Sequence, residues 1–234
     1  MTLFVLCLAV PAPGAAESQN KAEFVIKIRG ITAGIARLTG IEQDGLYAVR
    51  AEIESARLVK VFRPFTYRGA ARGGLEGRRL SPVHYEDTAN TGRRQSEVVL
   101  DYDGGVPRVT RYVSTVPNGA DSPDPATQGG TLDPLSALYA VLRDAPAADL
   151  CDKRLVLFDG RRRSAVILGT AQAAGDGIVC NGEFRRLKGF TQKELSRHRA
   201  FPLQVFYTPR SGGMLQAQRV SIQSIYGLAT LDRR

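Results

Sequence analysis

Asp133-Pro134-Leu135-Ser136-Ala137-Leu138-Tyr139-Ala140-Val141-Leu142-Arg143 is the stretch that decides the architecture. Asp133 can cap a helix with its carboxylate, Pro134 suits the first helical position, where no backbone N–H is needed, and Pro146 ends the run. Leu135, Leu138, Tyr139 and Leu142 then fall at i, i+3, i+4 and i+7, which predicts an apolar face that has to be buried. Such a face either fills a core or lines a cavity, and ordinary packing is its commoner use.

Outward from this segment the pattern changes to period two, as in Phe24-Ile26-Ile28, Tyr47-Val49-Ala51-Ile53 and Val98-Leu100-Tyr102. These are half-buried strands. Asp-Gly pairs at Asp44-Gly45, Asp103-Gly104, Asp159-Gly160 and Asp176-Gly177 stand between them and mark hairpins, since both residues tolerate positive φ. The expected fold is mainly β: one strongly curved antiparallel sheet, a half-barrel or open barrel of about a dozen strands, with one helix packed in its concave face. Strands are expected near 22–29, 34–43, 46–55, 57–62, 83–87, 93–102 and 106–113, and, after the helix, near 153–158, 162–172, 178–185, 202–207 and 215–228. Residues 63–80 and 114–131, rich in Gly with Arg or Pro, read as irregular connections.

The uncharged apolar run Met1 to Val10 has the length of a signal-peptide core, well short of the roughly 20 residues that span a bilayer. Residues 1–16 are expected to be a cleaved signal peptide and residues 17–234 a single β-rich domain. No basic residue precedes the run, which points to a start upstream of Met1. Export would place the protein in the bacterial periplasm and leave two cysteines, Cys151 and Cys180. In an oxidising compartment these two form a disulfide more readily than they persist as reactive thiols, with two buried unpaired cysteines as the alternative.

The formal charge of +9 suggests an acidic partner, but 26 of the 32 basic residues are Arg, a bias that base composition can produce. Clusters such as Arg161-Arg162-Arg163 and Arg185-Arg186 suit an anionic envelope surface or remain a solvated basic face. Nucleic acid is not expected after export, and a monomer is. His84 and His198 are the only histidines. His84 with Glu86 or Asp101 is the one acid–base set on offer, while no metal site, nucleophile elbow, phosphate loop or dinucleotide fingerprint is present. No cofactor is expected, and the chain does not read as an enzyme.

Leu132 to Arg143 resembles the helix signature of the exported bacterial proteins grouped as domain-of-unknown-function family 3108. Gly40, Tyr47, Pro82, Tyr85, Asp101-Tyr102 and Phe158-Asp159-Gly160-Arg161-Arg162 follow that family's order of features. The two cysteines flanking the Asp159-Gly160 hairpin resemble the arrangement in its alphaproteobacterial members. The resemblance implies a periplasmic protein without an assigned activity, and a shape similar to the half-barrels of lipoprotein-localisation carriers. Three functional expectations follow. The first is binding of a lipid or lipoprotein acyl chain between sheet and helix, lined by Leu135, Leu138, Tyr139 and Leu142. The second is an interaction module with a solid core that docks an envelope protein or serves polysaccharide assembly, and the third is an unrecognised enzyme using His84.

Overall fold

The computed structural model describes residues 18–56, 64–92, 94–115 and 122–234. The expected signal peptide and the expected strand at 57–62 lie outside these residues. Thirteen strands form one antiparallel sheet: β1 Ser18–Ile28, β2 Ile31–Gln43, β3 Leu46–Ser55, β4 Thr66–Glu76, β5 Arg79–Asn90, β6 Gln95–Asp103, β7 Val106–Ser114, β8 Lys153–Phe158, β9 Arg163–Ala174, β10 Gly177–Lys188, β11 Ala200–Pro209, β12 Leu215–Ser224 and β13 Gly227–Arg233. Helix α1 spans Pro134–Leu142 and a short α2 spans Gln192–Arg197.

The spatial order β7-β6-β5-β4-β3-β2-β1-β13-β12-β11-β10-β9-β8 puts the first and last strands side by side in the middle. Two meanders run outward from that pair, β1 to β7 on one wing and β13 to β8 on the other. Helix α1 lies in the chain between the two outermost strands and touches β3, β4, β5, β8 and β12, which requires the sheet to curl around it without closing into a barrel. Its flank ties the edges: Leu132 adds one parallel bridge to β8, through Leu132 N to Val156 O at 2.8 Å and Phe158 N to Leu132 O at 2.9 Å. Gly130 N also reaches Gly105 O in the β6–β7 turn at 2.9 Å. Covering an edge in this way protects its unpaired backbone groups from other strands.

Alternation sorts the residues as expected. In β3, Tyr47, Val49 and Ala51 point inward while Leu46, Ala48, Arg50 and Glu52 point out. The four Asp-Gly pairs all mark links between sequential strands, but only Asp44-Gly45 has both residues at positive φ. Gly104-Gly105 forms the β6–β7 turn instead, and Gly175 precedes Asp176 at the next tip, so the local turn slides to where glycine best relieves strain.

Three expectations need correction. Residues 63–80, expected to be irregular, contain β4 and the start of β5. Its glycines are there for close approach: a Cβ on Gly73 would lie 2.1 Å from Ser81 O. The single strand expected at 215–228 is two, β12 and β13, divided by a turn at Ile225-Tyr226. Helix α2 was not anticipated, although Thr191 and Glu194 form a capping box around its start.

Candidate functional site

Helix α1 starts as its sequence dictates. Asp133 Oδ1 accepts a hydrogen bond from Ser136 N at 2.8 Å, and Ser136 Oγ donates to Asp133 Oδ2 at 2.5 Å. Tyr47 Oη lies 2.6 Å from the same hydroxyl and completes a buried chain from β3 to the helix cap. Asp133 is fully buried, and loss of solvation pushes its carboxyl up to about 6. Burial likewise raises the Tyr47 and Tyr139 phenols well above their ordinary value.

Toward the other end Tyr139 Oη donates to Glu42 Oε1 at 2.7 Å, while Arg143 Nη1 donates to both Glu42 oxygens at 3.0 and 3.1 Å. Asn20 Nδ2 donates to Tyr139 Oη at 3.2 Å, and its amide oxygen accepts from Asp144 N at 2.9 Å. Lys153 Nζ donates to the carbonyls of Ala140 and Asp149, a cation at the helix C-terminus. Burial first, then the Arg143 and Arg78 charges, lower that ammonium to about 8. The helix is thus bolted to the sheet by polar contacts at both ends.

The four residues expected to line a ligand space do not share one environment. Leu135, Tyr139 and Leu142 are buried in the protein core, whereas Leu138 is 36% exposed. Ser136, Ala137, Ala140 and Val141 are buried too. The helix is therefore enclosed on most of its circumference, as suits a segment that is apolar nearly all round. The fit is tight at Tyr139: its ring stacks on Tyr47 with centroids 6.2 Å apart, and a Cβ on Gly40 would stand 2.3 Å from its Cε2. Cys151 and Cys180 form a disulfide with Cα atoms 5.5 Å apart, pinning the entry of β8 to β10 across β9.

His84, Glu86 and Asp101 converge, because His84 and Glu86 share the outer face of β5 and His84 pairs directly with Asp101 on β6. His84 Nδ1 lies 2.7 Å from Asp101 Oδ1, and Nε2 lies 3.9 Å from Glu86 Oε2. The hydrogen bond from His84 holds the Asp101 carboxyl below its usual range. Among the described residues no hydroxyl or thiol contacts Nε2, and no group of three potential ligands is placed to hold a metal ion. The pair is an oriented imidazole, and the nearby Thr110 hydroxyl is directed to the Asp101 carboxylate and the Val99 carbonyl.

This imidazole borders an open trough on the outer face of β2 to β5. A cavity of about 610 Å³ is lined by Thr39, Ile41, Ala48, Ala70, Arg72 and His84, among others. It runs into a second of about 390 Å³, reaching Leu46 and Val83. Its floor is low because Ala48 and Ala70 carry only methyl groups between longer side chains. Arg50 and Arg72 rise from the same strands, diagonal across the Arg50–Ala70 and Ala48–Arg72 pairs. Neither guanidinium has an ion-pair or hydrogen-bond partner among the described residues. The sequence does carry a signal for this feature: Ala48-Val49-Arg50 and Ala70-Ala71-Arg72 place Ala and Arg on outward positions of neighbouring strands.

The family model described as a protein of unknown function, DUF3108, matches residues 23–172. No curated protein matches the chain, and no solved structure does.

Proposed function

The chain belongs to the DUF3108 family, and we propose that it works as a non-enzymatic interaction module of the bacterial periplasm, with a solid core and a protein partner docked in its outer trough. The observation that carries this reading is the contrast between the two faces of the sheet. On the inner face Tyr139 fills the space over Gly40 and is hydrogen-bonded to Glu42, so a ligand between sheet and helix would have to displace both. The outer face offers Arg50 and Arg72, unpaired among the described residues, beside exposed Ile41, Leu46 and Val83. Apolar contact flanked by free guanidinium groups suits a protein segment that brings carboxylates and an apolar side chain.

The reading predicts that a photocrosslinker placed at Ala48 or Ala70 in cells gives a discrete protein adduct. Arg50→Ala with Arg72→Ala removes that adduct, and fractionation finds the protein in the periplasm. Native mass spectrometry of the purified protein separates the rival reading. Stoichiometric acyl lipid bound to the protein, released by Leu135→Ala or Leu142→Ala, would favour a lipid carrier and sink the solid-core module. Turnover abolished by His84→Ala would favour an enzyme.

A further inference from the structure

Two turns stand side by side at one end of the sheet. The β1–β2 turn is Arg29-Gly30, with φ of 51° and 80°, and the β12–β13 turn is Ile225-Tyr226. Arg29 N donates to Leu228 O at 2.8 Å and Arg29 Nε donates to Tyr226 O at 2.8 Å. The Arg29 side chain crosses Gly227, where a Cβ would sit 2.8 Å from Nε. Ser224 adds a hydrogen bond from its hydroxyl to Gly227 O at 2.7 Å and accepts Tyr226 N at 3.1 Å. The two turns are therefore one ordered projection.

That projection is apolar where turns are ordinarily polar. Ile31, Ile225, Tyr226 and Leu228 are between 49% and 69% exposed, four of the ten large apolar side chains exposed among the described residues. None of the described residues covers them. Residues 26–34 and 222–231 contain Lys27 and Arg29 and no carboxylate. Lys27 is paired with Asp232 at 3.1 Å, whereas among the described residues Arg29 hydrogen-bonds only backbone and has no carboxylate partner.

We infer that this double tip is a membrane-contact site which inserts its aliphatic and tyrosine side chains into an anionic lipid surface. A projecting tip fits a soft interface better than a pocket. Tyrosine is favoured at the headgroup level, and the Arg29 guanidinium sits where it can meet lipid phosphates. The net charge of +9 draws the protein to an anionic surface over a longer range. Among the described residues no helix is long and apolar enough to cross a membrane. This surface goes beyond the trough and fails independently of it.

The test uses the full chain with vesicles of phosphatidylcholine, with and without phosphatidylglycerol. The protein should float with the anionic vesicles and far less with the neutral ones. Ile225→Ser combined with Tyr226→Ser should lower the bound fraction by about tenfold or more, from the lost apolar insertion. Val113→Ser, a charge-neutral change at an exposed apolar residue on the edge strand β7, should leave flotation unchanged. The chain has no tryptophan, so Tyr226→Trp supplies a single tryptophan, excited selectively at wavelengths where tyrosine does not absorb, whose emission should shift to the blue on adding anionic vesicles. Absence of flotation overturns the inference, as does flotation indifferent to the serine substitutions or without the spectral shift. Circular dichroism of each variant distinguishes loss of contact from loss of fold.

Discussion

Gly40 and Asp133 show how much of the inner face depends on single atoms. A methyl group at Gly40 would stand 2.3 Å from the Tyr139 ring, which is itself held by Glu42 and Asn20 and cannot swing away without losing both. Gly40→Ala should therefore destabilise the fold by about 2–3 kcal/mol, as overpacking does, and chemical denaturation would measure it. If the helix seat were an open ligand space, the cost would be near zero. Asp133 adds a pH dependence with a definite sign. Its folded-state value of about 6 lies above the roughly 3.9 of an unfolded aspartate, so the cost of holding the charge is borne in full above pH 6. As pH falls from about 6 to about 4 the folded state takes up a proton that the unfolded state does not, and stability rises. The shift corresponds to about 3 kcal/mol. Asp133→Asn keeps an acceptor for Ser136 N and removes that contribution. The difference between the two proteins isolates it from Asp87 and Asp159, whose carboxyls burial also raises. A pH-independent difference between wild type and variant would refute the assignment. The cap at Asp133 is legible from Asp-Pro followed by apolar residues. Its complete burial is not, because that depends on Tyr47 arriving from a strand far off in the chain.

At the scale of elements, alternation and turn residues reveal most strands, and glycine hides one. In β4, Thr66–Glu76, Gly69 and Gly73 occupy inward positions where a pattern reader looks for large apolar residues. The backbone of β5 and the Tyr67 hydroxyl approach too closely there for a side chain. The split between β12 and β13 escapes for the opposite reason, because its turn carries Ile225-Tyr226 in place of polar residues. The trough shares this difficulty: its Ala and Arg positions are visible in the sequence, but their adjacency rests on the β3–β4 register, and β4 is the strand that the glycines conceal. The disulfide is the element-scale feature with the largest expected effect on stability. Cys151 and Cys180 are separated by 29 positions, and closing a loop of that size stabilises the fold by about 3.6 kcal/mol in the chain-entropy model. Cys151→Ala with Cys180→Ala should lower the melting temperature by about 7–14 °C, at roughly 2–4 °C per kcal/mol for a chain of this size. The same drop should follow reduction of the wild type, and a much smaller one would mean that β8 is held chiefly by its pairing with β9 and the Leu132 bridge.

The whole molecule is organised by a contact that no local pattern predicts, the pairing of its first and last strands. Phe24 to Ile28 of β1 pair with Ala229 to Arg233 of β13, so the two wings are joined through the first and last of the described strands. Lys27 to Asp232 and Arg234 to Glu23 pair across this seam, and Arg233 Nη2 donates to Lys21 O at 3.0 Å. The family match covers residues 23–172 and therefore stops within β9. A fragment with those bounds retains β1 only from Glu23 onward, β2 to β7, helix α1, all of β8 and most of β9, but lacks β10 to β13. Its β8–β9 hairpin would have no sheet to continue into, β1 would expose a full edge, and Tyr207, whose hydroxyl anchors Val141 O at 2.8 Å, would be gone. Cys151 would also lose its partner. We expect the fragment 23–172 to be unable to fold as a soluble monomer. Circular dichroism and hydrogen exchange should show no cooperative transition and no protected amides in the helix, while the full chain unfolds in one step. Protection confined to β1–β7 would instead show that one wing is a self-sufficient unit, with the second wing closing over the helix afterwards. In that case exchange in the full chain should open the β8–β12 wing at a lower free energy than the β2–β6 wing. If the seam makes the molecule one cooperative body, both wings should open together at the global free energy of unfolding.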